Sequence, residues 1–313
     1  MVLLLQYTLI FASVLILVAL GGCFAEHSGV INLGLEGIMI MGALGGALAM
    51  RYISPNVPAI VMILGVLAIS ALVGMIYSCL LAVACINFKA DQTLVGTALN
   101  LLGTAGATVI VKAINTAANP DDVSSIVQYA GAKKAFTVNL GSFEFSWFML
   151  VTALLLAASY VLLYKTRFGL RLMACGEHPQ AADSVGINVY KMRWAGVLIS
   201  GFLGGIGGIV FITAGVSEWR FEYGVAGFGF LSLAVMIFGQ WKPGKIALAA
   251  IFFAVFKSLA NIYDSIGWLS ALHLTKELYN MMPFAASMII LAFTSKRSRA
   301  PKAEGIPYDK GQR

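Results

Sequence analysis

The chain has 313 residues, of which 59% are hydrophobic and 11% charged, with 21 basic against 14 acidic side chains and a mean hydropathy of +0.87. An ordinary soluble domain carries about 25% charged residues, and a water-soluble globule of this size could not hide so much apolar side chain. The composition excludes a soluble enzyme, a disordered chain and a nucleic-acid reader, and makes the net charge of +7 a matter of membrane topology.

A helix needs about 20 apolar residues to cross the hydrocarbon core. In chain order the expected spans are 2–21, 33–50, 57–85, 93–112, 146–164, 192–214, 226–240, 245–263 and 279–295. The expectation is an all-α polytopic membrane protein with about nine transmembrane helices: a transmembrane domain over 1–295 and a basic tail over 296–313. The opening run MVLLLQYTLIF has no basic flank and reads as a retained membrane helix. The cysteines, Cys23, Cys79, Cys85 and Cys175, show no CxxC spacing and read as small hydrophobes.

The first polar cluster is Glu26-His27-Ser28, read as solvated loop residues, followed by GVINLGLEG over 29–37. A carboxylate at the mouth of an apolar span needs a partner or a watery cavity. Asn32 and Glu36 therefore either stand near a solute path or serve the helix start as cap and dipole complement. In the fourth span, Thr93, Thr97 and Asn100 share a helical face beside Gln92. That neutral face suits a ribose or a base, or it serves helix–helix hydrogen bonding. The 114–145 segment, with Asn-Pro-Asp-Asp at 119–122, reads as a capped, partly folded connector.

The stretch 165–191 is polar, and Lys165 to Arg193 holds five basic residues. Pro179 suits the first turn of a short helix and Gly186 its left-handed terminus. Such a helix at the membrane surface is a knob for a soluble partner, or an interfacial helix without one. Phe228 and Phe230 open the short 226–240 span and could flank a base. Trp147, Trp219, Trp241 and Trp268 fall at predicted span ends and read as an aromatic belt, and Lys112 and Lys257 as snorkelling cations. The two short Gly-rich spans, 33–50 and 226–240, occupy matching places in two inverted halves, the best sequence pointer to a transport site. The 295–313 segment carries six basic residues. With 165–193, Lys242, Lys245 and Lys89 it puts 14 of the 21 basic residues on one side. The positive-inside rule makes that side cytoplasmic, with the N-terminus outside.

Gly176, the pair Ala181-Ala182 and Gly186-Ile187, followed by the Gly-rich run 201–208, resemble the coupling loop and next span of ABC importer permeases. GVINLGLEGIMIMGALGG resembles the N-terminal signature of the branch that imports nucleosides with a basic-membrane-protein type lipoprotein. Glu177-His178 before Pro179 departs from the small polar residue expected there. The resemblance covers Val18 to about Lys296. It implies a coupling surface of Gly176, Glu177, Pro179, Ala181, Ala182, Gly186 and Ile187. It also implies a second homologous permease subunit, a cytoplasmic ABC ATPase holding ATP and Mg, an extracellular solute-binding lipoprotein, and residence in a bacterial cytoplasmic membrane. The chain itself has no GxxxxGK[ST] and so no P-loop. The expectation is a transport subunit with no catalytic residue, metal or cofactor of its own. Simple sugars such as ribose are the alternative solute. An ion-coupled secondary transporter is a further alternative, with Glu36 as its only good titratable group. An intramembrane enzyme is disfavoured, since no HExxH and no paired membrane aspartates are present.

Overall fold

The computed structural model describes residues 2–54, 57–129, 134–141, 143–214, 218–263, 275–294 and 300–311. The described helices are α1 (Val2–His27), α2 (Leu35–Tyr52), α3 (Ala59–Ala82), α4 (Gln92–Ala118), α5 (Trp147–Lys165), α6 (Arg167–Glu177), α7 (Pro179–Ser184), α8 (Val189–Thr213), α9 (Phe228–Phe238), α10 (Pro243–Ile262) and α11 (Lys276–Thr294). Each of the nine apolar runs coincides with one of these helices. Among the described residues six are long and apolar enough to cross a bilayer: α1, α3 with its continuation to Asn87, α4, α5, α8 and α10, while α9 is a shorter apolar helix. The last predicted position, Ser295, and Trp268 lie outside the described residues.

The apolar helices divide by burial. α1 and α8 are buried on nearly every side, the condition of a helix that is hydrophobic all round and central to its bundle. α3, α4, α5 and α10 expose apolar side chains outward, among them Leu64, Leu101, Leu154 and Leu248. In water such a surface would aggregate, and in a bilayer it is solvated. Lipid supplies no hydrophobic drive between helices, so close backbone approach must hold them. α2, α3 and α8 meet at Gly42, Gly74 and Gly205. A Cβ on Gly42 would stand 2.7 Å from the Gly205 carbonyl oxygen, and one on Gly74 2.8 Å from the Gly205 Cα.

The all-helical expectation omitted two small sheets beyond the spans. β1 (Ile126–Gln128) pairs antiparallel with β4 (Glu218–Arg220), tying the segment after α4 to the one after α8. β2 (Thr137–Leu140) and β3 (Phe143–Ser146) form a hairpin in the register Thr137↔Ser146. Gly141, with φ +68, supplies the left-handed residue at the turn. Asn115 donates to the Ser124 and Ile126 carbonyls at 3.0 and 2.9 Å and accepts from Arg51 at 2.7 Å. The segment is therefore folded against the ends of α2 and α4.

Candidate functional site

Two features of the bundle gather the candidate residues: the meeting of α2 with α9, and the corner built by α6, α7 and residues 300–311. The first begins with a break. α1 ends at His27, and the chain then runs without helix to Leu35. Asn32 is fully buried in that passage. Its amide donates to Ser200 Oγ at 2.8 Å and its carbonyl accepts from the Gly34 N–H at 3.1 Å. Asn100 completes the passage from α4, accepting from the Gly37 N–H and donating to the Leu33 carbonyl, both at 2.8 Å. Gln92, two turns earlier on α4, accepts from the Ile31 N–H at 2.6 Å. Backbone groups left open by a broken membrane helix must be satisfied inside the protein, and these three amide side chains satisfy them.

Glu36 stands in the first turn of α2, but its partner is α9. One carboxylate oxygen accepts from the Gly227 N–H at 2.8 Å and the other from the Gly229 N–H at 2.7 Å. Gly227 adopts φ +77 and aims its amide at the carboxylate. A Cβ on Gly229 would sit 2.5 Å from the Glu36 amide nitrogen, so only glycine admits this approach. The starts of the two short Gly-rich helices thus meet, with one carboxylate between two positive helix ends.

The sequence-derived pathway residues divide into two sets. Asn32, Glu36 and Asn100 are buried and occupied as described. Phe228 is buried against Phe211 and Phe11, with ring centroids 4.5 and 5.6 Å away. Thr93, Thr97 and Phe230 are exposed, and the Thr97 hydroxyl donates back to the Thr93 carbonyl at 2.8 Å. Asn100 therefore does not share a common open surface with the two threonines, because α4 packs that edge against the α2 passage.

Two expectations near the other bundle end are corrected. Glu26 and His27 are not loop residues: α1 runs through both, and Glu26 is 3% exposed. Trp241 is no belt residue but is buried. Left-handed backbone at Gln240 and Trp241, φ +51 and +54, turns the indole inward, where its N–H donates to the Glu26 carboxylate. The Trp241 carbonyl is met by His27 Nε2 at 3.0 Å and Cys23 Sγ at 3.2 Å. The end of α1 is thereby locked to the end of α9.

The same end carries the residues that resemble a coupling loop. The sequence suggested one helix from Pro179, and the structure holds two. Thr166 caps α6 by accepting from the Gly169 N–H at 3.2 Å. Gly176 is buried in its last turn, against the His27 and Glu26 carbonyls. α7 starts at Pro179 and closes with a Schellman pattern: Ile187 N–H to the Ala182 carbonyl at 3.0 Å and Gly186 N–H to the Asp183 carbonyl at 2.9 Å, with Gly186 at φ +84. Glu177, Ala181 and Gly186 are exposed, Ile187 is half-buried, and Pro179 and Ala182 are buried. Among the described residues no group of three His, Cys, Asp or Glu is placed to hold a metal ion.

Residues 300–311 return to this corner, which the sequence had left as a basic tail. Ala303 and Tyr308 are buried. Burial pushes the Glu304 carboxyl up to about 7 from an ordinary 4.5, and its Oε2 has no hydrogen-bond partner. A raised value means that the docked segment favours the protonated acid. Docking is therefore firmest below about 4.5 and weakens as pH rises through about 7. With spin labels at Lys310 and Arg171, both exposed, the fraction at long separation should rise between about pH 5 and about pH 8. In Glu304→Gln that fraction should stay at its acidic value throughout.

The chain matches the family model described as branched-chain amino acid transport system / permease component over residues 4–292. The chain belongs to this permease family. It is 40% identical to the guanosine ABC transporter permease protein NupQ of Bacillus subtilis, over 98% of this chain and 96% of that protein. It is 36% identical to the nucleoside ABC transporter permease protein NupC of Lactococcus lactis subsp. cremoris, over 97% and 96%. The putative glucose ABC transporter permease protein TsgC13 of Haloferax volcanii is 30% identical over 82% of this chain and 76% of its own length. As in those permeases, this chain is a multi-pass membrane subunit of an ABC transporter.

Proposed function

We propose that the chain is a permease subunit of an ATP-driven importer for nucleosides, moving solute by alternating access. The near full-length likeness to a guanosine permease and a nucleoside permease carries this reading. The glucose relative covers less of the chain at lower identity, which makes a simple sugar the second choice. An ion-coupled carrier would need Glu36 to load and release a proton, yet both its oxygens are held by α9 amides.

In this reading nine helices cross the membrane as two inverted halves, each with a short broken helix, α2 and α9. The end bearing α6, α7 and residues 300–311 faces the cytoplasm, and the N-terminus lies outside. A second homologous permease covers the exposed side of α4 and α9, with Thr93, Thr97 and Phe230 facing the solute path. Asn32, Glu36, Asn100 and Phe228 support that path from behind. A cytoplasmic ATPase binding ATP and Mg pushes on α7, the adjoining spans rock, and a lipoprotein delivers solute from outside. The permease itself performs no covalent chemistry.

Labelled guanosine uptake into cells expressing the whole system but no other nucleoside importer tests this. Uptake should saturate, stop on ATP depletion, and be competed by unlabelled nucleosides but not by ribose or glucose. Competition by the sugars alone would replace the solute. Uptake that survives ATP depletion and stops on collapse of the proton gradient would replace the mechanism.

A further inference from the structure

α7 has six residues, too few to hold a helix without tertiary support. Its support is a small core of Cys175, Ala182, Val189 and Tyr308, and Tyr308 comes from the chain end. The terminal segment is tied to α7 by a hydrogen bond from the Tyr308 hydroxyl to the Asp183 carboxylate, and elsewhere as follows. The Ala303 N–H donates to the Gly176 carbonyl at 2.8 Å. Arg193, 1% exposed, donates from Nη1 to the Ile306 carbonyl at 2.9 Å. The Tyr190 hydroxyl donates to the Tyr308 carbonyl at 3.4 Å, and the two rings meet edge to face at 5.4 Å. Lys89 Nζ lies 2.9 Å from Asp309 Oδ2. The segment crosses from α6, over the start of α8, to the connection between α3 and α4.

Between this segment and α7 lies an open cleft of about 750 Å³, walled by Gln180, Asp183 and Ile187 on one side and Tyr308, Asp309 and Lys310 on the other. Its walls are anchored on both sides before any partner arrives, so little ordering would be lost on binding. The cleft is continuous with the exposed surface of α7, and it lies at the same bundle end.

We propose that residues 301–311 are the second half of the ATPase dock: the ATPase seats a polar projection in the cleft beside α7, and the segment carries its displacement to Lys89. The inference rests on the reading of α7 as the ATPase contact. It adds a partner for the chain end and a mechanical link from α7 to the start of α4.

The test uses the permease pair in detergent with its cognate ATPase, and reads ATPase bound to tagged permease against ATPase concentration. Tyr308→Ala should weaken binding by roughly tenfold, the scale of one aromatic lost from an interface centre, and Tyr308→Phe, which keeps the ring but loses the hydroxyl bond to Asp183, should lie between that and wild type. Asp309→Lys should weaken binding by up to about fivefold, since the pair is half-exposed. Lys89→Asp combined with Asp309→Lys should restore it to within about twofold. If Tyr308→Ala lowers the amount of folded permease, the charge swap, which leaves the small core untouched, decides alone. Failure of the swap to restore a weakened single variant, or wild-type binding by Asp309→Lys, overturns the proposal. Ala182→Glu runs beside these as the reference for α7. Lost binding there, with normal binding by the terminal variants, removes the terminal segment from the dock and leaves α7 in it. Normal binding by Ala182→Glu removes both.

Discussion

Replacing Glu36 with alanine is expected to destabilise the permease by roughly 3–5 kcal/mol. One buried and one half-buried amide at the start of α9 would lose a charged acceptor, and charge-assisted bonds are worth about 1.5–3 kcal/mol each. The carboxylate also sits against two positive helix ends, so its removal leaves that field uncompensated. In detergent the loss should show as a fall in Tm on the order of 5–10 °C, with a matching fall in membrane yield. Glu36→Gln should fall between wild type and alanine. Its carbonyl can still accept from one amide, Gly227 or Gly229, while its NH2 faces the other as a second donor. Gly229→Ala should match the alanine variant for a different reason, since its Cβ would stand 2.5 Å from the Glu36 amide nitrogen. The measurement separates the two readings the sequence left open. A Glu36→Ala protein with wild-type Tm and no uptake would return Glu36 to the solute path. A protein with lowered Tm whose surviving fraction transports at the normal rate per molecule makes it the tie between α2 and α9.

How much was legible follows from what each element needs. Six of the apolar runs are helices long and apolar enough to cross a bilayer, because a bilayer demands internally bonded backbone of a given length, and both demands are written in local composition. The closure of α7 was legible for the same reason: Pro179 and Gly186 have fixed backbone preferences at a helix start and stop. α6 left a signal that went unread, since its buried residues Gly169, Leu172 and Gly176 recur at helical spacing. Partners are another matter. Glu36 binds amides more than 190 positions away, Glu26 finds Trp241, and Asn100 finds Gly37. No window of sequence holds both members of any of these pairs. Glu26 therefore reads as a solvated loop residue, and Glu36 is left between a solute path and the dipole of its own helix. The Tyr308 contact with α7 was hidden by composition as well, because a basic segment reads as solvated whatever single aromatic it contains.

Ala182→Glu is expected to abolish assembly with the ATPase while leaving membrane insertion and the bundle intact. The coupling motif pairs two alanines, and the structure gives them opposite faces: Ala181 is exposed and Ala182 is 4% exposed. A carboxylate at 182 would enter the small core with Cys175, Val189 and Tyr308, where the buried Arg193 that acts on Cys175 and Tyr308 already donates to the Ile306 carbonyl and would have to leave it to pair. An unpaired buried charge costs on the order of 3 kcal/mol or more, beyond what a six-residue helix can absorb. α7 would leave its seat, and the partner would find no ordered knob. The spans would not follow, because α1, α2, α3 and α8 are held by their own packing and the Glu36 and Asn100 ties lie at the starts of α2 and α9. Ala181→Glu makes the complementary measurement. That side chain already faces solvent, so the variant should keep the wild-type Tm and α7 intact, and reduce ATPase binding only through direct contact. Loss of binding in both variants places the ATPase on the outer face of α7. Loss in Ala182→Glu alone makes α7 a positioning element whose contact surface lies beside it, in the cleft walled by Tyr308 and Asp309. Normal co-purification from both would remove α7 from the coupling path.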